Sequence, residues 1–599
     1  GNALKDQGKL DAAIAAYEHA LALKPDCADA YNNMGNALKD QGKLDAAIAA
    51  YERALALKPD NADAYNNMGV TLQEQGKLDA AIAAYERAMA LKPHYGQAAY
   101  NLGNILIVYG EAQRARSLFS TAVEKFPFDA KYRLAALCNT LPIVWNAAIE
   151  PNPLHAFDQS LVAFVNWACD DEAKVSLEEN VGAVQPFRLA YYPENMATRL
   201  NEYGKAITLD KSFERLPSTS RADKNSIKIG IITSHLTNHS VFNVLLKGII
   251  THLNREKFSI YLYAIDANQG SSIKLDTLNI KSIYQIKNTS QKYDLRKRIL
   301  DDDLDFLLYP EIGMDPTTTW LAPQRLAPTQ AATWGHPITT GLPNIDYFFS
   351  GELIESHTSS KHYSESLVKF PGTGCVTQWP NLVPRKSSWE ENELPKDRIT
   401  FIIPQTPFKF HPSNDVMILR VSKAVPNSIF LIPDNKEYPN ATFKLLDRLK
   451  VLFAKHDVLF EGRFVVFPWL KSEEFLSLLH AADIYLDLPS FSGYTTAWQG
   501  INCGLPIVTL EGDFMRQRLA AGLLRKIGLS ETIANSIEEF VDITQKLVEK
   551  RSRKETWFQY RDHIKALSPL ADNDLSVIIA LEKFVSESVD KRRAVRIAV

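Results

Sequence analysis

The residues with the most chemistry to offer stand in loops that follow β-rich runs. After Ile484–Pro489 comes Ser490-Phe491-Ser492-Gly493-Tyr494-Thr495-Thr496, then a helical stretch through Trp498 and Ile501. Unpaired amides and the helix dipole favour an anion at such a helix start, and Thr495 and Thr496 add hydroxyl donors. An ordinary threonine N-cap is the alternative reading. After Thr400–Pro404 the chain reads Gln405-Thr406-Pro407-Phe408-Lys409-Phe410-His411-Pro412. A lysine packed between aromatic residues has a fixed stem and an aimed ammonium, able to neutralise a diphosphate leaving group, where a lone lysine is usually just solvated.

Two further loops carry polar groups. Ser234-His235-Leu236-Thr237-Asn238-His239-Ser240 follows Ile227–Thr233. Its histidines lie at i and i+4, but no local third ligand makes them a metal site. His239 at a helix start serves as a general base, orients an acceptor, or simply caps and packs. Trp334-Gly335-His336-Pro337-Ile338-Thr339-Thr340-Gly341 offers small and hydroxyl residues that let backbone approach a sugar or phosphate. Glu311, after Leu304–Pro310, is a carboxylate at a similar strand end, whereas Asp301-Asp302-Asp303 precedes its strand and reads as a solvated turn.

Positioning these loops takes alternating strands and helices. The runs Ile227–Thr233, Phe258–Ile265, Ser282–Ile286, Leu304–Pro310, Gln330–Gly335 and Ile345–Ser350 form one series. Thr400–Pro404, Ser428–Pro433, Arg463–Pro468, Ile484–Pro489 and Pro506–Leu510 form a second. Such alternation implies parallel sheets covered by helices, here two doubly wound lobes with ligands outside the carboxyl strand ends.

The first part of the chain is a different object. Gly1, Gly35, Gly69 and Gly103 recur every 34 residues, as do Gly8, Gly42, Gly76 and Gly110, and Pro25, Pro59, Pro93 and Pro127. Tyr17, Tyr51, Tyr85 and Phe119 keep the same period, with alanines where helices approach closely. Helix pairs of this size bury their apolar faces only by stacking, which gives a superhelix with a concave face. Asn33, Asn67 and Asn101 share the period: they either solvate a helix face or form an amide ladder that grips a peptide backbone. The array begins within a repeat, so further repeats upstream are expected.

These features divide the chain into repeats (1–135), a helical transition and linker (136–225) ending near Ser218–Asn225, a first lobe (226–385) and a second lobe with terminal helices (386–599). At 599 residues three to four domains are expected. A net charge of −3 gives no field to recruit nucleic acid, and the absence of an apolar run of about 18 residues argues against a spanning helix. Five scattered cysteines without CxxC spacing fit a reducing, cytoplasmic setting and argue against a zinc cluster.

Taken together, the array and the ordered loops resemble the O-linked N-acetylglucosamine transferase family with its SPINDLY branch. The residues that carry the resemblance include Asn238-His239, Ile312-Gly313-Met314-Asp315-Pro316, Arg325-Leu326-Ala327-Pro328 with Gln330, and Trp334-Gly335-His336-Pro337 with Thr339-Thr340-Gly341-Leu342-Pro343. Phe408-Lys409-Phe410-His411-Pro412, Gly493 with Thr495-Thr496, and Gly504-Leu505-Pro506 continue it. The resemblance implies a tetratricopeptide superhelix followed by an α/β GT-B fold of two Rossmann-like lobes. It also implies inverting transfer without a metal or other cofactor. Lys409 is then the diphosphate-binding lysine; Gly493, Tyr494, Thr495 and Thr496 form the phosphate loop; and Gln405, Thr406, His336, Pro337 and Thr340 contact the donor. His239, Lys409 and Glu311 are the expected catalytic set, and Asn33, Asn67 and Asn101 the acceptor-binding one. Expected partners are a nucleotide-sugar and protein acceptors along the repeats, with no nucleic acid or membrane; a homo-oligomer stays open. Tyr494 stands where animal members have His, and Gln499 where they have an acid that contacts the donor ribose. The first-choice donor is UDP-N-acetylglucosamine with Ser or Thr acceptors. GDP-fucose, UDP-glucose on Asn, and a non-catalytic scaffold that senses nucleotide-sugars are the alternatives.

Overall fold

A computed structural model of the protein describes residues 1–208, 226–265, 278, 280–287, 289–380, 382–385, 394–395 and 397–597. The linker end expected near Ser218–Asn225 lies outside the described residues. The chain divides into two compact units, Gly1–Ile143 and Val144–Val599.

The first unit is helical throughout, its paired helices including Ala28–Asp40 with Leu44–Leu57, Ala62–Glu74 with Leu78–Leu91, and Gly96–Val108 with Ala112–Lys125. Both glycine series have physical reasons. Gly76, between paired helices, has φ +75°, a left-handed conformation that glycine adopts without strain. Gly69 admits the buried Tyr85 ring, which a Cβ would meet at 2.7 Å. Amides tie successive repeats: Asn67 Nδ2 donates to Asn32 Oδ1 and Asn101 Nδ2 to Asn66 Oδ1, each at 3.1 Å.

The second unit holds two parallel sheets. β1 (Ile227–Thr233), β2 (Phe258–Ile265), β3 (Ser282–Ile286), β4 (Phe306–Tyr309), β5 (Thr329–Thr333), β6 (Tyr347–Gly351) and β7 (Ser366–Phe370) form one, ordered β3-β2-β1-β4-β5-β6-β7. The other contains β8 (Ile399–Ile402), β9 (Ser428–Pro433), β10 (Phe464–Phe467), β11 (Ile484–Asp487), β12 (Ile507–Leu510) and β13 (Ile533–Ala534), ordered β10-β9-β8-β11-β12-β13. Both orders reverse between the first and fourth strands, the switch point where doubly wound folds bind ligands. Apolar runs such as Ser428–Pro433 are buried along their whole length, as strands covered on both faces must be. Edge strands β7 and β13 escaped the sequence reading because one is half-exposed and the other has two residues. The last helix, Leu575–Ile597, returns to the first sheet, burying Val577, Leu581, Val585 and Val589 with Ile229 and Phe242.

Asp302 departs from the expected solvated turn. It is mostly buried, accepting from Tyr263 Oη at 2.8 Å and Arg298 Nε at 2.9 Å. No helix among the described residues is long and apolar enough to cross a membrane.

Candidate active site

The pairing of β8 with β11 (Phe401 opposite Ile484) places the loops after these two strands side by side. The first carries Lys409 at the end of the short 3₁₀ helix Pro407–Lys409. The second runs through Gly493 into the helix Thr495–Asn502. Both line one cavity of about 830 Å³ at the carboxyl ends of the two sheets.

Two polar side chains fasten these loops together. Ser490 Oγ donates to the Lys409 carbonyl at 2.5 Å and accepts from Asn414 Nδ2. Asp487, fully buried at the end of β11, accepts from Gln405 Nε2 at 2.8 Å and Gly493 N at 2.9 Å through Oδ1. Its Oδ2 accepts from Ser492 Oγ at 2.6 Å and Thr509 Oγ1 at 2.8 Å. Burial pushes the Asp487 carboxyl up to about 6 against these four bonds. Lys409 Nζ lies 4.2 Å from the Phe491 ring centroid. Burial lowers the ammonium to about 8, and Asp487 opposes that shift. An ammonium lowered by burial is held more firmly in its charged form when an anion sits beside it.

Gly493 is required by contact rather than backbone freedom. A Cβ there would meet Thr496 Oγ1 at 2.4 Å and Tyr485 Oη at 2.5 Å. Thr496 Oγ1 and Tyr485 Oη are themselves 2.9 Å apart in a hydrogen bond. Tyr494 lines the cavity with its ring, while its hydroxyl lies among Thr373, Cys375 and Thr377 of the first lobe. The tyrosine in place of histidine therefore joins the lobes through its hydroxyl.

From the first lobe, His239, His336 and Pro337 reach the same cavity. His239 stacks on His235 with centroids 4.2 Å apart; burial, then His235, lowers its pKa to about 4. It is therefore neutral at pH 7. Its Nδ1 accepts from the Val241 amide at 3.3 Å, which places the proton on Nε2 and makes that nitrogen a donor. His336 stacks on Phe187 at 4.6 Å and is lowered to about 4, chiefly by burial.

Thus His239, Lys409, Gln405, Thr406, Gly493, Tyr494, Thr495, Thr496, His336 and Pro337 share one cavity wall. Glu311 is not brought there. It is fully buried, and its Oε1 accepts from Thr233 Oγ1 at 2.9 Å and Ser234 N at 2.8 Å, with His235 Nδ1 at 3.1 Å. It braces the loop that leads to His239 and does not line the cavity. Thr340 is also elsewhere. Its amide donates to Glu365 at 2.7 Å, and the adjacent Gly341 abuts Leu200 of the helix Ala197–Ile207. Asn67 and Asn101 each donate one amide hydrogen bond to the preceding repeat, and Asn101 Oδ1 accepts from Gln97 at 3.3 Å; Asn33 is half-buried. Among the described residues no three His, Cys, Asp or Glu side chains gather as a metal site.

Sequence reasoning passed over Asp487, although a lone acid closing the apolar run Ile484-Tyr485-Leu486 was a readable signal. It also passed over Phe187, Tyr191, Trp379 and Phe475, which line the cavity. Phe187 and Tyr191 come from outside both sheets, so no strand pattern pointed to them.

The model of glycosyl transferase family 41 matches residues 202–386 and 383–572, and tetratricopeptide models match 1–42, 35–76 and 72–138. The chain belongs to glycosyl transferase family 41. This family-41 chain is 25% identical over 336 residues to an Arabidopsis thaliana protein described as a probable UDP-N-acetylglucosamine–peptide N-acetylglucosaminyltransferase SEC, covering 54% of this chain and 33% of the relative. A Hordeum vulgare SPINDLY protein is 27% identical over 253 residues, covering 42% and 26%. A UDP-glucose:protein N-β-glucosyltransferase of Actinobacillus pleuropneumoniae is 24% identical over 288 residues, covering 45% and 42%. The chain thus spans between about a quarter and two fifths of the length of these relatives. The solved structure of a mutant O-GlcNAc transferase from Thermobaculum terrenum shares the fold, with TM-score 0.67 at 20% identity over 95% of this chain and 98% of that one.

Proposed function

We propose that the protein is an inverting, metal-independent glycosyltransferase that moves N-acetylglucosamine from UDP-N-acetylglucosamine to Ser or Thr of protein acceptors. The observation that carries this reading is the convergence of the Lys409 ammonium and the Gly493–Thr496 helix start on one cavity, fastened by Ser490 and Asp487. In the reaction an acceptor hydroxyl oxygen bonds to the anomeric carbon as the bond to the diphosphate breaks. Negative charge then collects on the leaving nucleotide, where Lys409 and the helix start stabilise it more strongly than in the bound donor. His239, with its proton on Nε2, orients a ligand oxygen, and the proton of the acceptor hydroxyl leaves to water or to an oxygen of the departing diphosphate. The repeats present the protein acceptor.

The similarity to a UDP-glucose-dependent enzyme that glucosylates proteins at nitrogen supports a second reading, Asn glucosylation. Turnover on UDP-N-acetylglucosamine, UDP-glucose and GDP-fucose, with intact-mass mapping of a modified acceptor, separates them. Added N-acetylhexosamine on Ser or Thr is expected. Hexose on Asn favours the second reading, and nucleotide binding without release leaves the protein a sensor.

A further inference from the structure

The 3₁₀ helix Phe187–Tyr191 belongs to neither sheet, yet both of its terminal aromatic residues line the cavity. The segment is fixed to both lobes. Upstream, Trp320 Nε1 donates to the Glu178 carbonyl at 2.6 Å, and Gly182 lies so close to Pro316 that a Cβ would meet its carbonyl oxygen at 2.2 Å. Downstream, buried Arg516 donates through Nη2 to the carbonyls of Tyr192 and Glu194, each at 2.6 Å. Between these clamps Phe187 stacks on His336 of the first lobe at 4.6 Å and 12°. Tyr191 contacts Phe408 at 5.1 Å and Phe491 at 5.4 Å, ring centroid to centroid. Phe408 precedes Lys409 in the chain, and Phe491 carries the Lys409 ammonium on its face.

Both rings are half-buried, leaving surface toward the cavity. Burial, then the neighbouring Tyr438, pushes the Tyr191 phenol pKa up, so the hydroxyl stays protonated and able to donate. In a nucleotide-sugar the hexose is bonded directly to the outer phosphate, so it lies beside whatever holds that phosphate. A pyranose presents a C–H face suited to an aromatic ring and a rim of hydroxyls suited to a phenol.

We propose that Phe187 and Tyr191 form a shelf for the hexose of the donor, with Tyr191 as a residue that determines which sugar is accepted. The proposal rests on the transferase reading above and extends it to a segment outside both lobes.

Paired calorimetric titrations test it, because UDP contains the base and diphosphate but no hexose. The pairs are UDP with UDP-N-acetylglucosamine, UDP with UDP-glucose, and GDP with GDP-fucose. Tyr191→Ala should weaken the preferred nucleotide-sugar at least about tenfold while holding its nucleotide within about twofold of wild type. Tyr191→Phe, which keeps the packing, should lose only about two- to fivefold on the nucleotide-sugar. Equal losses for nucleotide and nucleotide-sugar would overturn the shelf and make Tyr191 a strut for the lysine loop. Unchanged donor binding with a raised acceptor KM would overturn it in favour of an acceptor contact. Wild-type protein that binds none of the pairs would remove the transferase reading and the shelf with it.

Discussion

The Ser490 hydroxyl donates to the Lys409 carbonyl at 2.5 Å. A serine in the loop after β11 thereby sets the height of the lysine in the loop after β8. Buried Asp487 repeats the link one layer deeper, holding Gln405 and Gly493 on the same oxygen. The proposed anion site is thus one preorganised piece built from two loops, which is what stabilisation of a leaving group demands.

Its protonation gives a pH signature. Free Lys409 titrates near 8, below the ordinary lysine range, because burial disfavours the charge. A diphosphate favours the ammonium and raises that pKa, so binding takes up a proton once the pH exceeds 8. UDP affinity should be nearly flat up to about pH 7, fall about twofold by about pH 8, and approach about a tenfold fall per unit above about pH 9. Calorimetry at pH 9 in two buffers of different ionisation enthalpy should reveal the proton uptake.

Asp487→Asn separates charge from shape. The amide oxygen can still accept from Gly493 and Gln405, and the Ser492 and Thr509 hydroxyls can rotate to accept from its NH₂ group. The variant should fold, but Lys409 loses the carboxylate that raises its pKa. The alkaline fall in UDP affinity should therefore begin at a lower pH than in wild type, as a titration of affinity against pH would show.

Gly493→Ala places a methyl group within 2.5 Å of Tyr485 Oη and closer still to Thr496 Oγ1. Overpacking of this kind costs about 1–3 kcal/mol. Because the atom displaced belongs to the anion loop, nucleotide affinity should fall by more than the melting temperature suggests. Thermal unfolding and calorimetry on the same sample would compare the two.

In the repeats, Asn67→Ala removes the donor to Asn32 and should cost about 1 kcal/mol of stability. Hydrogen exchange in the helices Ala28–Asp40 and Ala62–Glu74 should accelerate. That result would mark the amide ladder as a staple between repeats; unchanged exchange with weakened acceptor binding would return it to the peptide.

What could be read from the sequence follows from the range of the forces involved. The 34-residue period exposed the array because Gly69 and Tyr85 meet at the same place in each unit. The loops after β1, β5, β8 and β11 were legible because local residue types mark strand ends and helix starts. Glu311 and Thr340 were misplaced because a strand-end position does not reveal which way a side chain turns. Both turn inward, Glu311 to the Thr233 hydroxyl, the Ser234 amide and the His235 ring, and Thr340 to Glu365. Tyr191 is 218 residues from Lys409 in sequence, and only tertiary packing through Phe408 and Phe491 joins them.

The most direct measurement is release of free nucleotide from the donor panel by wild type and Lys409→Ala under saturating donor. The variant should keep the wild-type melting temperature within a few degrees and lose about 100-fold or more in kcat. Release by Lys409→Ala within tenfold of wild type would contradict an ammonium that stabilises the departing diphosphate.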